Sequence, residues 1–315
     1  MCNSEKTIYL VANSHIDPVW LWDKYEGIDE VLNTFRSACD RLDEYPLLKF
    51  TMSSICFLQW TRQYNSALFD RIKAFVRSGR WEIVGGWWIE PDCNLPSSVS
   101  FDKSAAISRE FLDAHFGRLD VPVAYCPDSF GHPASLPSIL TRQGFRFYLF
   151  CRPGADEKTD LPANLFYWEH EGNRVLCYRP IYHYTQGRQF DREKIQEILS
   201  DDDFVKGGLA CCLFGVGNHG GGPSKVEIDY WLDQLEKVRS RRLIFSTCRE
   251  FFEAAEQLAN IPVYRGDLHY HAVGCYSVNR PIKQAVRQAE YALCYTQRVL
   301  QIAGSNHVDL QPLWE

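Results

Sequence analysis

A histidine and an aspartate, separated by one residue, follow the first strongly apolar segment of the chain. Residues Ile8–Asn13 are predicted to form a buried β-strand, and His15 and Asp17 come directly after it, before Pro18. In an extended chain, positions i and i+2 point to the same side, so one imidazole nitrogen and one carboxylate oxygen can reach the same cation. Both residue types are natural zinc ligands. Taken alone, however, the pattern describes a hydrogen-bonded histidine at a strand end better than a metal ligand.

A second carboxylate, Asp128, follows another apolar segment, Val121–Cys126. It lies beside a predicted tight turn, ahead of a predicted helix. The residues leave two roles open for it: a functional carboxylate at the end of a strand, or the N-cap of the next helix. Ser135 lies closer to that helix and competes for the capping role.

Apolar, β-rich segments alternate with segments of helical periodicity along the chain. This alternation is typical of an α/β fold whose parallel sheet is buried on both faces. The strand-like segments are Ile8–Asn13, Phe50–Ser53, Glu82–Gly85, Val121–Cys126, Phe147–Cys151, Val175–Tyr178, Leu209–Gly215 and Leu243–Ser246. The predicted helices cover about residues 27–43, 57–79, 98–116, 134–143, 191–200, 224–240, 248–259 and 281–303.

The residues that stand out chemically come after strands, and this favours a barrel over an open sheet. In a β/α barrel the segments that follow the strands gather at one end, where active sites lie. An open sheet concentrates its site at one switch point instead. The residues in question are His15, Asp17, Gly86, Trp87, Trp88, Asp128, Arg152 and the glycines at 220–222.

Composition excludes several classes of function. The net charge is −6, which argues against nucleic-acid binding, since phosphates require clustered positive charge. No apolar run is long enough for a membrane span, and the polar N-terminus does not resemble a secretory signal. Most of the 12 cysteines lie in apolar segments without a C-x-x-C pair, which favours buried, reduced thiols and a cytoplasmic protein.

Four segments together resemble glycoside hydrolase family 38, the α-mannosidases, and the last two are most similar to the bacterial branch. They follow the family's order and extend over nearly the whole chain. The matching segments are His15–Trp20, Gly85–Asp92, Pro127–His132 and Gly266–Ser277.

The resemblance implies a seven-stranded parallel β/α barrel and retaining hydrolysis of α-mannosides, either oligosaccharides or a small mannosylated metabolite. It implies one Zn²⁺ bound by His15, Asp17 and Asp128, and it makes Asp128 the catalytic nucleophile. Retaining glycosidases use two carboxyl groups, one as nucleophile and one as acid and then base. The residues expected to bind the sugar are Trp20, Phe130, Arg152, Asn218 and His271.

The general acid is not evident. Relatives carry an aspartate where this chain has Asn218, and an amide cannot donate a proton to a leaving oxygen. His219, Asp92 or Asp267 could supply the proton instead. Asn218 and the neighbouring glycines are equally compatible with a simple tight loop.

The resemblance also predicts further domains. The family's fourth metal ligand is expected downstream of the region around Tyr276, and only His307 follows there, in an unrelated setting. We therefore expect a barrel domain over residues 1–278, the start of a helical domain over 279–315, and more C-terminal domains in the same polypeptide. On this interpretation the isolated chain binds zinc weakly and has little activity.

Several roles and two other functions remain open. His269 and His271 are compatible with substrate contact or with structural hydrogen bonding. Trp87 and Trp88 could wall a sugar subsite, although one of them should face the core, while Glu90 and Asp92 suit either substrate hydroxyls or solvation. The alternative functions are a metal-dependent carbohydrate deacetylase and a sugar-binding barrel without catalytic activity.

Overall fold

The strands and helices follow the predicted alternation closely. The structure is a computed structural model that describes residues 6–184, 191–201, 207–215, 220–305 and 308–314. The strands are β1 (Thr7–Asn13), β2 (Phe50–Met52), β3 (Trp81–Ile83), β4 (Val123–Cys126), β5 (Phe147–Phe150), β6 (Leu165–His170), β7 (Asn173–Tyr178), β8 (Leu209–Phe214), β9 (Arg242–Phe245) and β10 (Val263–Tyr264). The helices are α1 (Lys24–Glu44), α2 (Ile55–Tyr64), α3 (Ser66–Arg77), α4 (Ser98–Phe116), α5 (Leu136–Arg142), α6 (Arg192–Ser200), α7 (Lys225–Lys237), α8 (Cys248–Ala255), α9 (Arg280–Ile302) and α10 (Gln311–Trp314), with a 3₁₀ turn at Val273–Tyr276.

The strands form two five-stranded sheets. The first has the order β3-β2-β1-β8, with β9 also paired to β1, and the second has the order β10-β6-β7-β5-β4. Every pair is parallel except β6 with β7. The α/β class with parallel strands and covering helices is therefore confirmed, whereas the strand pairs of the described residues do not close into one ring.

The hairpin of β6 and β7 and the division of one helix are two features that the sequence prediction missed. A two-residue loop joins β6 to β7, and both Glu171 and Gly172 have positive φ (48° and 79°). Such loops match the twist of a hairpin, but the usual Asn-Gly or Asp-Gly signature is absent. The helix predicted over 57–79 is divided at Asn65, whose side chain accepts a hydrogen bond of 3.1 Å from the Leu68 N–H and caps α3.

Helix α1 shows how the helices are anchored on the sheets. It begins at a capping box, in which Asp23 and Glu26 satisfy free N–H groups at the first turn. Val31 and Phe35, one turn apart, are fully buried, and Phe35 packs edge-on against Trp81 of β3 with ring centroids 5.1 Å apart. Burying such side chains stabilises the fold by roughly 1.5–3 kcal/mol each.

The end of the described chain is predominantly helical. Helix α9 contacts the start of α4 through Glu290, which accepts a hydrogen bond of 2.7 Å from the Ser97 N–H, and through Arg287, which donates to the Leu95 carbonyl at 2.7 Å. Within the described ranges, no helix has the length and apolar character that a membrane crossing requires. None of the eleven described cysteines forms a disulfide, and nine of them are buried, as predicted.

Candidate active site

The ends of β1 and β4 bring together three side chains that can hold a metal ion. His15 and Asp17 follow β1 in the first sheet, and Asp128 follows β4 in the second. One ligand atom from each residue can be chosen so that all of them lie within 4.8 Å of one another. The pair read from local spacing and the carboxylate read from a distant segment therefore meet at one site.

A buried asparagine, Asn13, connects the elements that carry these side chains. Its amide nitrogen donates to the Tyr184 carbonyl at 3.0 Å and to the Phe214 carbonyl of β8 at 3.2 Å. Its amide oxygen accepts a hydrogen bond of 3.2 Å from the Tyr125 hydroxyl of β4. Buried polar groups that are fully bonded rigidify their surroundings, so Asn13 fixes the end of β1 relative to β4 and β8.

The imidazole of His15 is buried against charged and aromatic neighbours. Its Nε2 atom lies 3.3 Å from the Glu90 carboxylate, and its ring packs on Tyr184 with centroids 4.7 Å apart. Burial lowers the pKa of His15, but Glu90, followed by Asp128 and Asp17, outweighs burial and raises the pKa to about 9. The other ring nitrogen, Nδ1, is buried without a hydrogen-bond partner among the described residues.

These residues fit a divalent cation. One imidazole and two carboxylates form a donor set that suits zinc. A buried ring nitrogen without a partner costs free energy unless something satisfies it, and a cation bound to neutral His15 would do so. Because a metal competes with the proton for the imidazole, binding here would be coupled to loss of the proton that the acidic neighbours stabilise.

The segment that carries Asp17 is fixed by contacts with Trp22 and with helix α1. The Trp22 indole N–H donates to the Asp17 carbonyl at 3.2 Å. Helix α1 also approaches this segment closely at Gly27, where a Cβ atom would lie 2.0 Å from the Pro18 carbonyl oxygen. A side chain at position 27 would therefore push this segment away, and with it Asp17.

Asp128 is the first member of a chain of polar contacts. Arg152 donates from Nε to Asp128 Oδ1, and its Nη1 lies 3.1 Å from His271 Nε2. His271 Nδ1 lies 2.6 Å from the Glu157 carboxylate. Since Arg152 can only donate, His271 accepts at Nε2 and carries its proton on Nδ1. Helix α5 begins only at Leu136, so Asp128 does not cap it.

The other predicted sugar-binding residues lie at different distances from this centre. Phe130 packs against His271 with ring centroids 5.0 Å apart, and the Arg152 guanidinium lies 5.8 Å from the Phe130 centroid. Trp20 is 51% exposed and contacts Trp22, with centroids 5.6 Å apart. A cavity of about 230 Å³ is lined by His15, Asp17, Ser54, Glu90, Asp128 and Phe130, among others, but not by Trp20. Asn218 and His219 lie outside the described residues.

The loop that follows β3 corrects several sequence interpretations. Glu90 is not a solvated surface residue: its side chain is 14% exposed, and its carboxylate accepts the Asp128 N–H at 2.9 Å and faces His15. Asp92 accepts from two backbone N–H groups in its own turn and from the Tyr276 hydroxyl at 3.1 Å. Trp87 and Trp88 are 1% and 8% exposed, so both belong to the core and neither walls a subsite.

Two residues at the site carried no signal in the sequence. Glu157 lies in a polar loop and becomes relevant only because His271 folds onto it. Tyr184 follows β7, and its ring covers one face of His15. Neither has a local pattern of spacing, because each reaches the site from a loop whose path depends on the whole fold.

Comparison with known proteins places this arrangement in a family. Residues 5–267 match the model of the glycosyl hydrolases family 38 N-terminal domain. The chain is 27% identical to α-mannosidase G of Dictyostelium discoideum over 320 residues, covering 99% of this chain and 29% of that protein. It is 28% identical to human α-mannosidase 2C1 over 298 residues, covering 92% of this chain and 28% of that protein.

The fold is also similar to that of a solved structure. An α-mannosidase structure from Enterococcus faecalis superimposes with a TM-score of 0.71 at 19% identity, covering 84% of this chain and 31% of that one. The chain thus spans less than a third of the length of these relatives. Because the family model matches most of the sequence, the chain belongs to the family 38 glycosyl hydrolases and contains their N-terminal domain.

Proposed function

We propose that this protein hydrolyses α-mannosides with retention of configuration and depends on zinc. The observation that carries the proposal is the meeting of His15, Asp17 and Asp128 at the ends of two strands, beside a cavity. Membership of a glycoside hydrolase family whose relatives are named α-mannosidases supports the substrate class. The substrate is either a mannose oligosaccharide or a small mannosylated metabolite.

His15, Asp17 and Asp128 would hold the zinc ion. When bound, the ion would orient sugar hydroxyls and favour the ionised form of the nucleophile, without activating water. The surrounding residues would then hold the Asp128 carboxylate in a fixed orientation. Arg152 serves that purpose, since its guanidinium donates directly to Asp128.

Asp128 acts as the nucleophile. One of its carboxylate oxygens attacks the anomeric carbon as the leaving oxygen takes a proton, and water then cleaves the glycosyl–enzyme ester. Arg152 and the Glu90-bonded backbone keep that carboxylate in one orientation. Trp20, Phe130, Arg152, Asn218 and His271 are the proposed sugar contacts, with the exposed Trp20 indole available to cover a sugar face.

The hydrogen bonds of Asp92 reduce the number of candidates for the proton donor. Both of its carboxylate oxygens already accept hydrogen bonds, one of them from two backbone N–H groups. Because these bonds hold the side chain in its own turn and against Tyr276, Asp92 is the weakest of the three alternatives. Asp267 and His219 remain, and His219 lies with Asn218 outside the described residues.

We also propose that seven parallel strands, β1–β5, β7 and β8, form one barrel wall. Two hydrogen bonds support this arrangement because they cross from one sheet to the other. The Gly85 N–H donates to the Val123 carbonyl at 2.8 Å, after β3 and at β4, and the Cys211 N–H of β8 donates to the Tyr178 hydroxyl of β7 at 3.3 Å. On this proposal residues 1–278 form the catalytic domain, residues 279–315 begin a helical one, and the buried thiols suit a cytoplasmic location.

The test is hydrolysis of an aryl α-mannoside by the zinc-loaded full-length polypeptide, with the aryl β-mannoside as the control. We expect turnover of the α-anomer only, release of α-mannose as the first product by NMR, and loss of activity after chelation that added zinc restores. Binding of mannosides without turnover would favour the non-catalytic sugar-binding alternative. Release of acetate from an acetylated chitooligosaccharide would favour the deacetylase.

A further inference from the structure

Glu90 lies in a loop whose backbone is held by hydrogen bonds to Ser54 and to the start of α2. Its own N–H donates to the Ser54 hydroxyl at 3.0 Å. The first two N–H groups of α2, from Ile55 and Cys56, donate to the Trp87 and Trp88 carbonyls at 3.1 Å and 2.8 Å. Free N–H groups at the start of a helix therefore fix the backbone just before Glu90.

The carboxylate of Glu90 is used at both oxygens. Oε1 accepts the backbone N–H of Asp128 at 2.9 Å, and Oε2 lies 3.3 Å from His15 Nε2. The side chain is only 14% exposed. One buried carboxylate thus contacts a residue from each of the two strand ends that supply the metal ligands.

We propose that Glu90 is a positioning residue of the metal site, one that fixes the His15 ring and the Asp128 backbone without binding the cation itself. The inference rests on the proposed zinc site and adds a residue to it. Histidine ligands commonly donate their second ring N–H to a carboxylate, which sets the tautomer and the ring orientation. Here Glu90 lies 3.3 Å from Nε2, within reach of its proton, and a proton held there would leave the lone pair of the unpartnered Nδ1 for the cation.

The substitution Glu90→Gln tests this arrangement at nearly constant size. The amide oxygen must face the Asp128 N–H, because turning the NH₂ group there would place two donors together. The NH₂ group then donates to His15 Nε2 and forces the ring proton onto Nδ1. The variant therefore removes the lone pair that the cation needs while it preserves volume and one hydrogen bond.

The experiment measures zinc affinity by competition with a chromophoric chelator, together with the unfolding midpoint of the metal-free protein. For Glu90→Gln we expect zinc to bind about 10- to 100-fold more weakly. The matched control is Glu82→Gln, which changes another glutamate of low exposure that bonds to Thr51 and the start of α8, and which should keep the native affinity. Ser54→Ala removes only the hydrogen bond to the Glu90 backbone and should weaken zinc binding a few-fold. It is the replacement test if Glu90→Gln fails to fold.

Cobalt(II) absorption separates positioning from direct binding. At saturating cobalt we expect Glu90→Gln to give the spectrum of the native protein, because the ligand set is unchanged. A spectrum with altered intensity would make Glu90 a ligand and overturn the inference, as would native zinc affinity in both Glu90→Gln and Ser54→Ala. Failure of the native protein to bind zinc would instead overturn the proposed metal site, and the inference with it.

Discussion

Two glutamates of low exposure, Glu82 on β3 and Glu90 in the loop that follows it, play different parts. Glu82 accepts the Thr51 hydroxyl at 2.7 Å and the Cys248 and Arg249 N–H groups at 2.8 Å each. It thereby caps the start of α8 from a neighbouring strand. Glu90 also has both oxygens occupied, but its partner His15 has a second nitrogen without a partner, and a cavity adjoins the pair.

Burial and charge alone therefore do not mark a functional carboxylate. Glu82 accepts two backbone N–H groups and Glu90 accepts one, and burial is the largest influence on the pKa of both side chains. The two glutamates differ in the residues that their carboxylates contact. Glu82 contacts one hydroxyl and two N–H groups at the start of a helix, whereas Glu90 contacts His15 and Asp128, which belong to the proposed metal site. The following predictions test that difference, from the largest effect to the smallest.

Asp128→Asn removes the proposed nucleophile, so turnover of an aryl α-mannoside should fall by about 1000-fold or more, equivalent to roughly 4 kcal/mol. The folded protein should persist, as circular dichroism would show. Glu82→Gln makes the same change of carboxylate to amide at the structural position, and its kcat should stay native at pH 6. Near-native turnover in Asp128→Asn would remove Asp128 from the role of nucleophile.

Glu82→Gln should alter the pH dependence of stability. Burial raises the pKa of Glu82 from its ordinary 4.5 to about 7, against hydrogen bonds that lower it. With a raised pKa, the contribution of Glu82 to stability is complete below pH 4.5 and is lost as the pH rises through about 7. The shift corresponds to roughly 3 kcal/mol.

Urea unfolding at pH 5 and pH 8 measures that loss. The native protein should lose more unfolding free energy between the two values than Glu82→Gln does, because glutamine stays neutral throughout. The comparison uses the change with pH, so a hydrogen bond lost in the variant cancels. Equal losses in the two proteins would show that Glu82 keeps an ordinary pKa in the folded state.

Zinc should stabilise the native protein, because a ligand that binds only the folded state raises the unfolding free energy. At a free zinc concentration 100 times Kd the gain is about 2.7 kcal/mol. Asp17→Asn should lose most of that gain, since one proposed ligand becomes a weaker donor. Thermal unfolding with and without zinc gives the measurement, and the same gain in both proteins would exclude Asp17 from the metal site.

Glu157→Gln should have the smallest effect. The carboxylate is 30% exposed, and its amide replacement can still accept the His271 Nδ1 proton. We expect a loss of unfolding free energy below about 1 kcal/mol and a rise in KM of a few-fold at nearly constant kcat. A fall in kcat beyond 100-fold would mean that Glu157 takes part in the chemistry.

The sequence by itself determined the α/β alternation and the first part of the site. Strands such as β1 and β5 are continuous apolar runs, and helix α1 buries residues at regular helical spacing, so their local pattern matches their final environment. His15 and Asp17 are likewise local, since two residues on one extended segment share a side wherever the chain goes. Asp128 was predicted as a site residue from its position after a strand and from the resemblance to a family.

Only the tertiary structure decided which groups complete that site and which remain structural. In the folded protein Trp87 and Trp88 both lie in the core, Asp92 accepts hydrogen bonds within its own turn, and the Glu90 carboxylate contacts His15. The tertiary structure also brought Glu157 to His271 from a distant loop. Each of these outcomes depends on contacts between residues far apart in sequence, and a hydrogen bond of about 3 Å is set by how the elements pack. Local spacing carries no information about that packing.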